Sequence, residues 1–395
     1  MLGGRKVLVL GGDKFRDEYS LAFDGTDGHI EIAETTLSVH DTAYSFAFWV
    51  KIDSIGGWHP ILGDDDDLHN IIAIDQENDR IFIEGNSDND SMQWNTTQDP
   101  LVLGAWNHFA ICMDGSGSGK AYQNGVELTM TNDTIGSDLV FKYIGRGYTH
   151  YMEGNLSELT IYDITLSASQ VKTLYNGREP FSHNDWEKSG NLTRWWRMGD
   201  GSFDSYPLIA DSSTTTLFGT DLITNGNFDS NVTGWSDNDG GGGGAVTHET
   251  STKYSGAGSA KITWPDPPTD YWGMMTASNV SSVQANTLYL IEAYIYIPSG
   301  WDGGDVYLTE GATFGSSSSE QFVKASSSIT NQWQLTKTMF RTASDTAGKL
   351  YIRASSTPSA TKYIFVDSVT MRAVTGGMPS HTVNMTTADF VGDTP

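Results

Sequence analysis

The chain has 395 residues and carries 23 Lys and Arg against 49 Asp and Glu, a formal net charge of -26. This length predicts two or three domains, and the negative field argues against nucleic-acid binding because it repels phosphate backbones. A hydrophobic content of 38% excludes a disordered acidic chain, and 43 glycines favour strands and turns over long helices. We therefore expect an all-β protein.

The N-terminus carries no recognisable export signal. Its apolar run, residues 7–10, is shorter than the roughly 7 to 15 residues of a secretory signal. No apolar stretch approaches the ~20 residues of a membrane span, and the single Cys112 leaves no intramolecular disulfide. We expect neither a signal peptide nor membrane insertion.

Short alternating apolar runs ending in Gly, Asn or Asp repeat from Tyr19 to Tyr175. Their length and turn spacing are typical of a β-sandwich. Residues 71–84 predict a hairpin with its turn at 76–79. A helical pattern follows Ser167, a suitable N-cap, and ends at Gly177.

Several motifs in this region resemble the laminin G-like, concanavalin A-like jelly roll in order and spacing. They are LAFDG (21–25), FAFWVK (46–51), GAWNHF (104–109), YQNG (122–125), IG (144–145), GNLSELTIY (154–162), LS (166–167) and LY (174–175). The resemblance implies two stacked antiparallel sheets over residues 19–180 and says little about the ligand.

Residues 221–375 resemble the family 4/9 carbohydrate-binding modules, a second kind of jelly roll, through NGNFD (225–229), GW (234–235) and YIFVDSVTM (363–371). Residues 181–220 hold three tryptophans that favour burial, which predicts a structured connector packed on the first sandwich. Residues 192–219 resemble the opening of another laminin G-like unit. The tail, residues 376–395, resembles its continuation in tailed-phage and marine viral proteins. The predicted architecture is thus an N-terminal arm (1–18), two antiparallel jelly-roll sandwiches joined by the connector, and the tail.

The second resemblance also implies a structural calcium. In those modules Ca²⁺ joins the first strand to the last through an acid after the NGxF turn and an acid in the final strand, and the matching positions are Asp229 and Asp367. Ser368 stands where the family often has a second acid. Capping or solvated surface roles are the alternative. The four aspartates from Asp64 to Asp67 are another candidate for an ion, with a solvated loop as the alternative.

Aromatic residues in loop-like surroundings are the candidates for glycan binding, because aromatic faces stack on the apolar faces of pyranose rings. The segments TWPDPPTDYWG (263–273) and PSGWDGG (298–304) supply Trp264, Tyr271, Trp272 and Trp301. The alternative is that these rings plug an end of the sandwich. Trp235 and Trp333 fall at positions that are normally core in the family. The five glycines from Gly240 to Gly244 predict one mobile loop.

A catalytic role for the first sandwich finds little support in the sequence. Retaining glucanases of the same architecture carry the strand motif ExDxxE, and its nearest approach is Glu77 and Asp79, without the third carboxylate. Both residues fall in the predicted hairpin turn, and His108 in WNHF is interpreted as structural. We therefore expect no catalytic residues.

These features predict a noncatalytic virion surface protein, either a capsid decoration protein or a tail-fibre adhesin. Its partners would be other virion proteins, contacted through the N-terminal arm, and a cell-surface glycan. Homo-oligomers are expected because repetition raises avidity. The alternatives are a secreted cellular polysaccharide-binding adhesin, which the missing signal peptide disfavours, and a glycoside hydrolase.

Overall fold

The structure is a computed structural model that describes residues 17–38, 41–64, 70–85, 90–96, 101–133, 135–201, 204, 206–214, 217–238, 244–266, 270–314, 323–344, 346–375 and 380–395. Its described residues form two compact units. The first extends through Asp204 and also takes in residues 210–213 and 388–395. The second contains residues 205–209 and 214–387.

The first unit is a sandwich of antiparallel strands, as the sequence predicts. Its elements up to residue 196 are β1 Ser20–Asp24, β2 His29–Leu37, β3 Tyr44–Ile52, β4 Trp58–Gly63, β5 Ile71–Asp75, β6 Arg80–Glu84, β7 Ser91–Asn95, β8 Trp106–Met113, β9 Gly119–Gln123, β10 Val126–Glu127, β11 Thr129–Asp133, β12 Leu139–Ile144, β13 Arg146–Gly147, β14 His150–Tyr151, β15 Glu153–Tyr162, α1 Ala168–Tyr175, the 3₁₀ turns His183–Asp185 and Ser189–Asn191, and β16 Leu192–Trp196.

The second unit is also built of antiparallel strands. It contains β17 Leu208–Ile209, β18 Leu217–Phe218, β19 Trp235–Asp237, β20 Ala245–Glu249, β21 Ser259–Thr263, β22 Trp272–Thr276, β23 Leu288–Tyr296, β24 Val306–Gly311, β25 Trp333–Arg341, β26 Lys349–Ala354, β27 Tyr363–Thr375, β28 Ser380–Val383 and the 3₁₀ turn Thr387–Asp389, after which β29 Phe390–Val391 returns to the first unit.

The two sheets of the first sandwich pack aromatic side chains against each other. One sheet has the order β10-β9-β8-β3-β15-β1-β29, with β16 also paired to β15, and the other runs β11-β7-β6-β5-β4-β12-β2. Phe46 of the first sheet meets Phe141 of the second edge to face, with 6.0 Å between ring centroids. Both rings are almost completely buried, so the core lies between the sheets.

Local predictions for this unit are confirmed. β5 and β6 form the predicted hairpin, and its turn residue Asp79 has a φ of 47°. Helix α1 begins after Ser167, whose side chain accepts a hydrogen bond from the Gln170 backbone in a capping box. Val171 and Leu174 are the buried face of this helix.

The connector segment continues the first sandwich. β16 pairs with β15, which buries Trp195 and Trp196. The indole of Trp195 donates to Glu158, and the Trp195 amide donates to Asp211.

The second sandwich consists of a six-stranded and a four-stranded sheet. The six-stranded sheet has the order β20-β21-β27-β23-β25, with β18 paired to β27, and the four-stranded sheet runs β19-β22-β26-β24. Between them lie apolar side chains from both sheets, among them Ile291 and Ile295 of β23 and Leu350 and Ile352 of β26. The period of two along these strands leaves the alternate side chains on two outer faces.

Candidate functional site

The outer face of the four-stranded sheet gathers four aromatic residues around one arginine. Leu350, Ile352 and Ala354 of β26 are fully buried, so the alternate residues Tyr351 and Arg353 lie on the outer face. Register places Tyr307 and Trp272 opposite Arg353 on the two neighbouring strands. Together with Tyr271 these residues form what we call the Trp272 surface: Tyr271, Trp272, Tyr307, Tyr351 and Arg353.

The Arg353 guanidinium joins three rings of the Trp272 surface. Its carbon lies 4.9 Å from the Tyr307 centroid, 5.6 Å from that of Tyr271 and 5.8 Å from that of Trp272. Tyr271 and Trp272 stack with centroids 5.4 Å apart, and the Trp272 ring meets Tyr351 edge to face at 5.3 Å. Cation–π contacts hold the rings and the arginine in one arrangement.

This arrangement suits a neutral sugar. Tyr271 is 37% exposed and Trp272 is partly exposed, so part of each ring reaches solvent. Tyrosine hydroxyls and the guanidinium supply hydrogen bonds for sugar hydroxyls. The chemistry available is stacking plus hydrogen bonding, which is binding chemistry.

The four predicted aromatic residues divide into two pairs. Tyr271 and Trp272 lie on the Trp272 surface, whereas Trp264 and Trp301 meet edge to face with centroids 5.0 Å apart. Trp264 is only 2% exposed, so it offers no face for stacking, and the expectation that it belongs to an accessible platform is wrong. The reason is alternation: Ala260 and Ile262 of β21 point into the core, and Trp264 continues the same side.

Trp301 lies at the margin of the same core. It is half-buried, and its indole nitrogen donates to the Gly304 carbonyl at 2.6 Å. The ring packs against the core together with Trp264. The two residues therefore fill the sandwich, as the alternative interpretation of these loop tryptophans held.

The sequence analysis missed Tyr307, Tyr351 and Arg353. The sequence KLYIRA (349–354) places apolar Leu, Ile and Ala at every second position, and this period of two was the signal available. In the structure these positions are buried and the others are half-buried. The alternation identifies an outer face, but which strand pairs with β26 is a long-range property that the local sequence does not specify.

Asp229 and Asp367 hold one loop from two sides. Asp367 Oδ2 accepts hydrogen bonds from the backbone amides of Tyr254 and Ser255, each at 2.9 Å. Asp229 Oδ1 accepts one from the amide of Ala257. Gly256 sits between them with a φ of 59°, and a Cβ there would lie 2.0 Å from Asp229 Oδ1, so only glycine allows the loop to approach so closely.

The donor set around this loop consists of oxygens that suit a hard cation. It includes the two carboxylates and the hydroxyls of Ser255 and Ser368, which lie 3.0 Å apart. Within the described ranges, no group of three or more His, Cys, Asp or Glu side chains is placed to hold a metal ion. Calcium would need carbonyl or water ligands to reach six to eight oxygens, so the site at Asp229 and Asp367 stays a prediction.

Residues weighed for chemistry in the first sandwich take structural positions. Asp75 accepts from the Asn78 amide and from Arg80, which fixes the turn that contains Glu77 and Asp79. His108 is 2% exposed, and burial lowers its pKa to about 3, so it is neutral. Asp64 pairs with Lys142 at 2.9 Å.

Some predicted segments lie outside the described residues. They are 65–67 of the aspartate run, 240–243 of the glycine run and 1–16 of the N-terminal arm. Among the described residues, no helix is long and apolar enough to cross a membrane.

The chain carries two domains of carbohydrate-related families. Residues 24–172 match the family model of the concanavalin A-like lectin/glucanases superfamily. Residues 220–361 match that of a carbohydrate binding domain, and this range contains the whole Trp272 surface. In chain order, the sequence therefore matches a concanavalin A-like domain model and then a carbohydrate binding domain model. A search of curated proteins found no match.

Solved structures with similar domains include three from different organisms. The CBM22-1 xylan-binding domain of Paenibacillus barcinonensis Xyn10C is 18% identical over 40% of this chain and 96% of that domain, with a TM-score of 0.30. A putative carbohydrate binding protein from Bacteroides ovatus is 18% identical over 50% of this chain and 56% of its own, with a TM-score of 0.37. The SAP-like pentraxin of Limulus polyphemus is 18% identical over 41% of this chain and 83% of its own, with a TM-score of 0.32.

Proposed function

We propose that this protein is a noncatalytic polysaccharide-binding protein whose second sandwich binds glycan through the Trp272 surface. The observation that carries the proposal is Arg353, which contacts three aromatic rings on the outer face of a carbohydrate-binding domain. Rings fixed in this way lose little side-chain entropy on binding a sugar. The net charge of -26 favours a neutral polysaccharide over an acidic one.

A glycan-array screen tests the proposal. We expect Trp272→Ala to lower affinity at least tenfold, because the stacking face is lost, and Arg353→Ala to act in the same direction. Tyr19→Ala, which removes a 44% exposed tyrosine in the first unit, is the matched control. If Trp272→Ala and Arg353→Ala, both folded by circular dichroism, bind as tightly as the wild type, the Trp272 surface is not the site.

We also propose that Ca²⁺ binds near Asp229 and Asp367 and stabilises the loop between them. Support comes from the convergence of both carboxylates on residues 254–257. A ligand that binds only the folded state raises Tm, so Ca²⁺ should raise the Tm of the wild type and leave Asp229→Asn unchanged. Equal melting of the wild type in Ca²⁺ and in EDTA would count against the ion.

The biological setting that we propose is the surface of a virion, with the N-terminal arm docking on the particle and homo-oligomers providing avidity. Secretion as a cellular adhesin is equally consistent with the two carbohydrate-related domains. Mass spectrometry of purified particles and of particle-free culture medium separates the two settings. Sedimentation velocity of the full chain tests the oligomer, and a monomer at micromolar concentration would contradict it.

A further inference from the structure

The outer face of the six-stranded sheet is divided into two halves. In one half Leu288, Leu290, Met339 and Val374 are buried together with Leu208, which belongs to the segment around β17. This half is therefore covered by the unit's own chain. An ion pair between Glu292 and Lys337, 3.6 Å apart, follows along the same strands.

The other half is aromatic. It carries six rings in a continuous series of contacts, which we call the Tyr254 ridge: Tyr254, Tyr294, Tyr296, Trp333, Tyr363 and Phe365. Successive centroids are 5.5 Å apart from Tyr363 to Phe365, 5.7 Å from Phe365 to Tyr296 and 5.6 Å from Tyr296 to Trp333. Tyr254 then lies 6.0 Å from Trp333 and stacks on Tyr294 at 3.5 Å.

Strand register places these rings side by side. Tyr296 of β23 lies opposite Trp333 of β25 on one side and opposite Phe365 of β27 on the other. Ile295 is fully buried in the core, so its neighbours Tyr294 and Tyr296 point outward. With strands ~4.8 Å apart, the row from Phe365 to Trp333 spans about 10 Å across the sheet.

Asp367 fixes the end of the ridge. Its carboxylate accepts the backbone amides of Tyr254 and Ser255, which positions the Tyr254 ring over Tyr294. Because Asp367 lies in β27 beside Tyr294 in register, the ring and its anchor belong to the same sheet face.

The ridge has the chemistry of a sugar-binding surface. Tyr254 is 45% and Tyr363 is 37% exposed, so part of each ring reaches solvent. Four of the six residues are tyrosines, whose hydroxyls bond sugar hydroxyls, and Lys261 sits 4.1 Å from the Tyr363 centroid as a further donor.

We propose that the Tyr254 ridge is a second polysaccharide-binding surface, which takes an extended neutral glycan lying across β27, β23 and β25. It rests on the proposed function for its ligand class. The ridge and the Trp272 surface lie on the two opposite outer faces of one sandwich, so a single straight chain does not contact both. One protein molecule would therefore bind two polysaccharide chains and cross-link them.

Affinity electrophoresis against soluble xylan, β-glucan, mannan and galactan tests the inference. We expect Trp272→Ala, although weakened at least tenfold, to retain measurable binding to at least one polysaccharide. Trp272→Ala combined with Tyr254→Ala and Trp333→Ala should lose at least a further tenfold. Replacing Trp333→Ala by Trp333→Phe in the triple variant keeps a ring at this position and should restore most of the lost binding. Tyr19→Ala is the control. Light scattering should show that the wild type aggregates the bound polysaccharide and that either single-surface variant does not.

Each other outcome overturns the inference in a recognisable way. If Trp272→Ala alone abolishes all binding and the ridge variants bind as the wild type does, the ridge is not a site while the proposed function survives. If the folded wild type binds no polysaccharide, the proposed function fails first. If Tyr254→Ala with Trp333→Ala dissociates an oligomer and leaves glycan binding intact, the ridge is an interface between copies.

Discussion

Glu158 makes the stability of the first sandwich depend on pH in a predictable direction. This carboxylate is 2% exposed and accepts hydrogen bonds from the Trp195 indole at 2.6 Å and from Arg197 Nε at 3.2 Å. Burial is the largest influence and raises its pKa to about 8, with the nearby Asp17 charge acting in the same direction and Arg197 opposing it. Burial also raises the pKa of Asp17 to about 7.

The sign follows from proton counting. Between the ordinary pKa of a glutamate and about 8, the folded chain holds a proton on Glu158 that the unfolded chain has released, so stability falls as pH rises. Buried histidines act oppositely at lower pH, because burial lowers the pKa of His108 and His183 to about 3 and the unfolded chain binds more protons below about 6.5. Between about pH 7 and 8 little of the histidine contribution is left. Asp17, with its pKa at about 7, acts in the same direction as Glu158, so Glu158 makes the largest contribution in this window.

The expected loss from Glu158 across this window is about 1 kcal/mol, since a pH unit well below the raised pKa is worth about 1.4 kcal/mol and the last unit before the pKa is worth less. For a unit of this size the Tm should fall by about 2 to 4 °C. Calorimetry of the full chain in buffers of low ionisation enthalpy measures it, with Glu158→Gln as the variant that flattens the slope. A Tm that is constant or rises over this window, or a slope as steep in Glu158→Gln as in the wild type, would refute the reasoning.

Three further substitutions have expected outcomes. Ser167→Ala removes the capping box of α1 and should cost about 1 kcal/mol in urea unfolding, while Ser169→Ala, two residues later in the first turn, should cost less. Gly154→Ala places a Cβ 2.1 Å from the Lys51 carbonyl at a φ of 138°, so the first unit should lose its cooperative transition while the second unit still melts. Asp367→Ala leaves two loop amides without their acceptor and should destabilise the second unit by about 2 kcal/mol. Proteolysis near Tyr254 should then be faster in Asp367→Ala than in Asp229→Asn. If Asp367→Ala resists proteolysis as well as the wild type does, this role of Asp367 is contradicted.

Most of the strands could be predicted from the sequence, because the alternation of apolar and polar residues is a local property of each strand. The hairpin at 71–84 and the helix after Ser167 were predicted for this reason, and both contain their own turn or cap signals. Trp264 shows the limit: its proline-rich surroundings resemble a loop, yet the period of two from Ala260 and Ile262 continues into it. Arg353 was missed because its role in the site depends on contacts with rings on two other strands, Trp272 and Tyr307, which the local sequence does not show.

The same alternation explains why the family match locates a domain but not its binding face. A strand of a sandwich gives one side to the core, and the other side is free to carry any residue that does not disturb folding. In the second unit both outer faces use this freedom for aromatic residues, around Arg353 on one sheet and around Tyr296 on the other. Packing constrains residues on an outer face less than residues in the core, and two such faces double the surface on which one small core presents ligand contacts. The aromatic positions outside the core, and not the overall fold, are therefore where specificity for a polysaccharide should be sought by substitution.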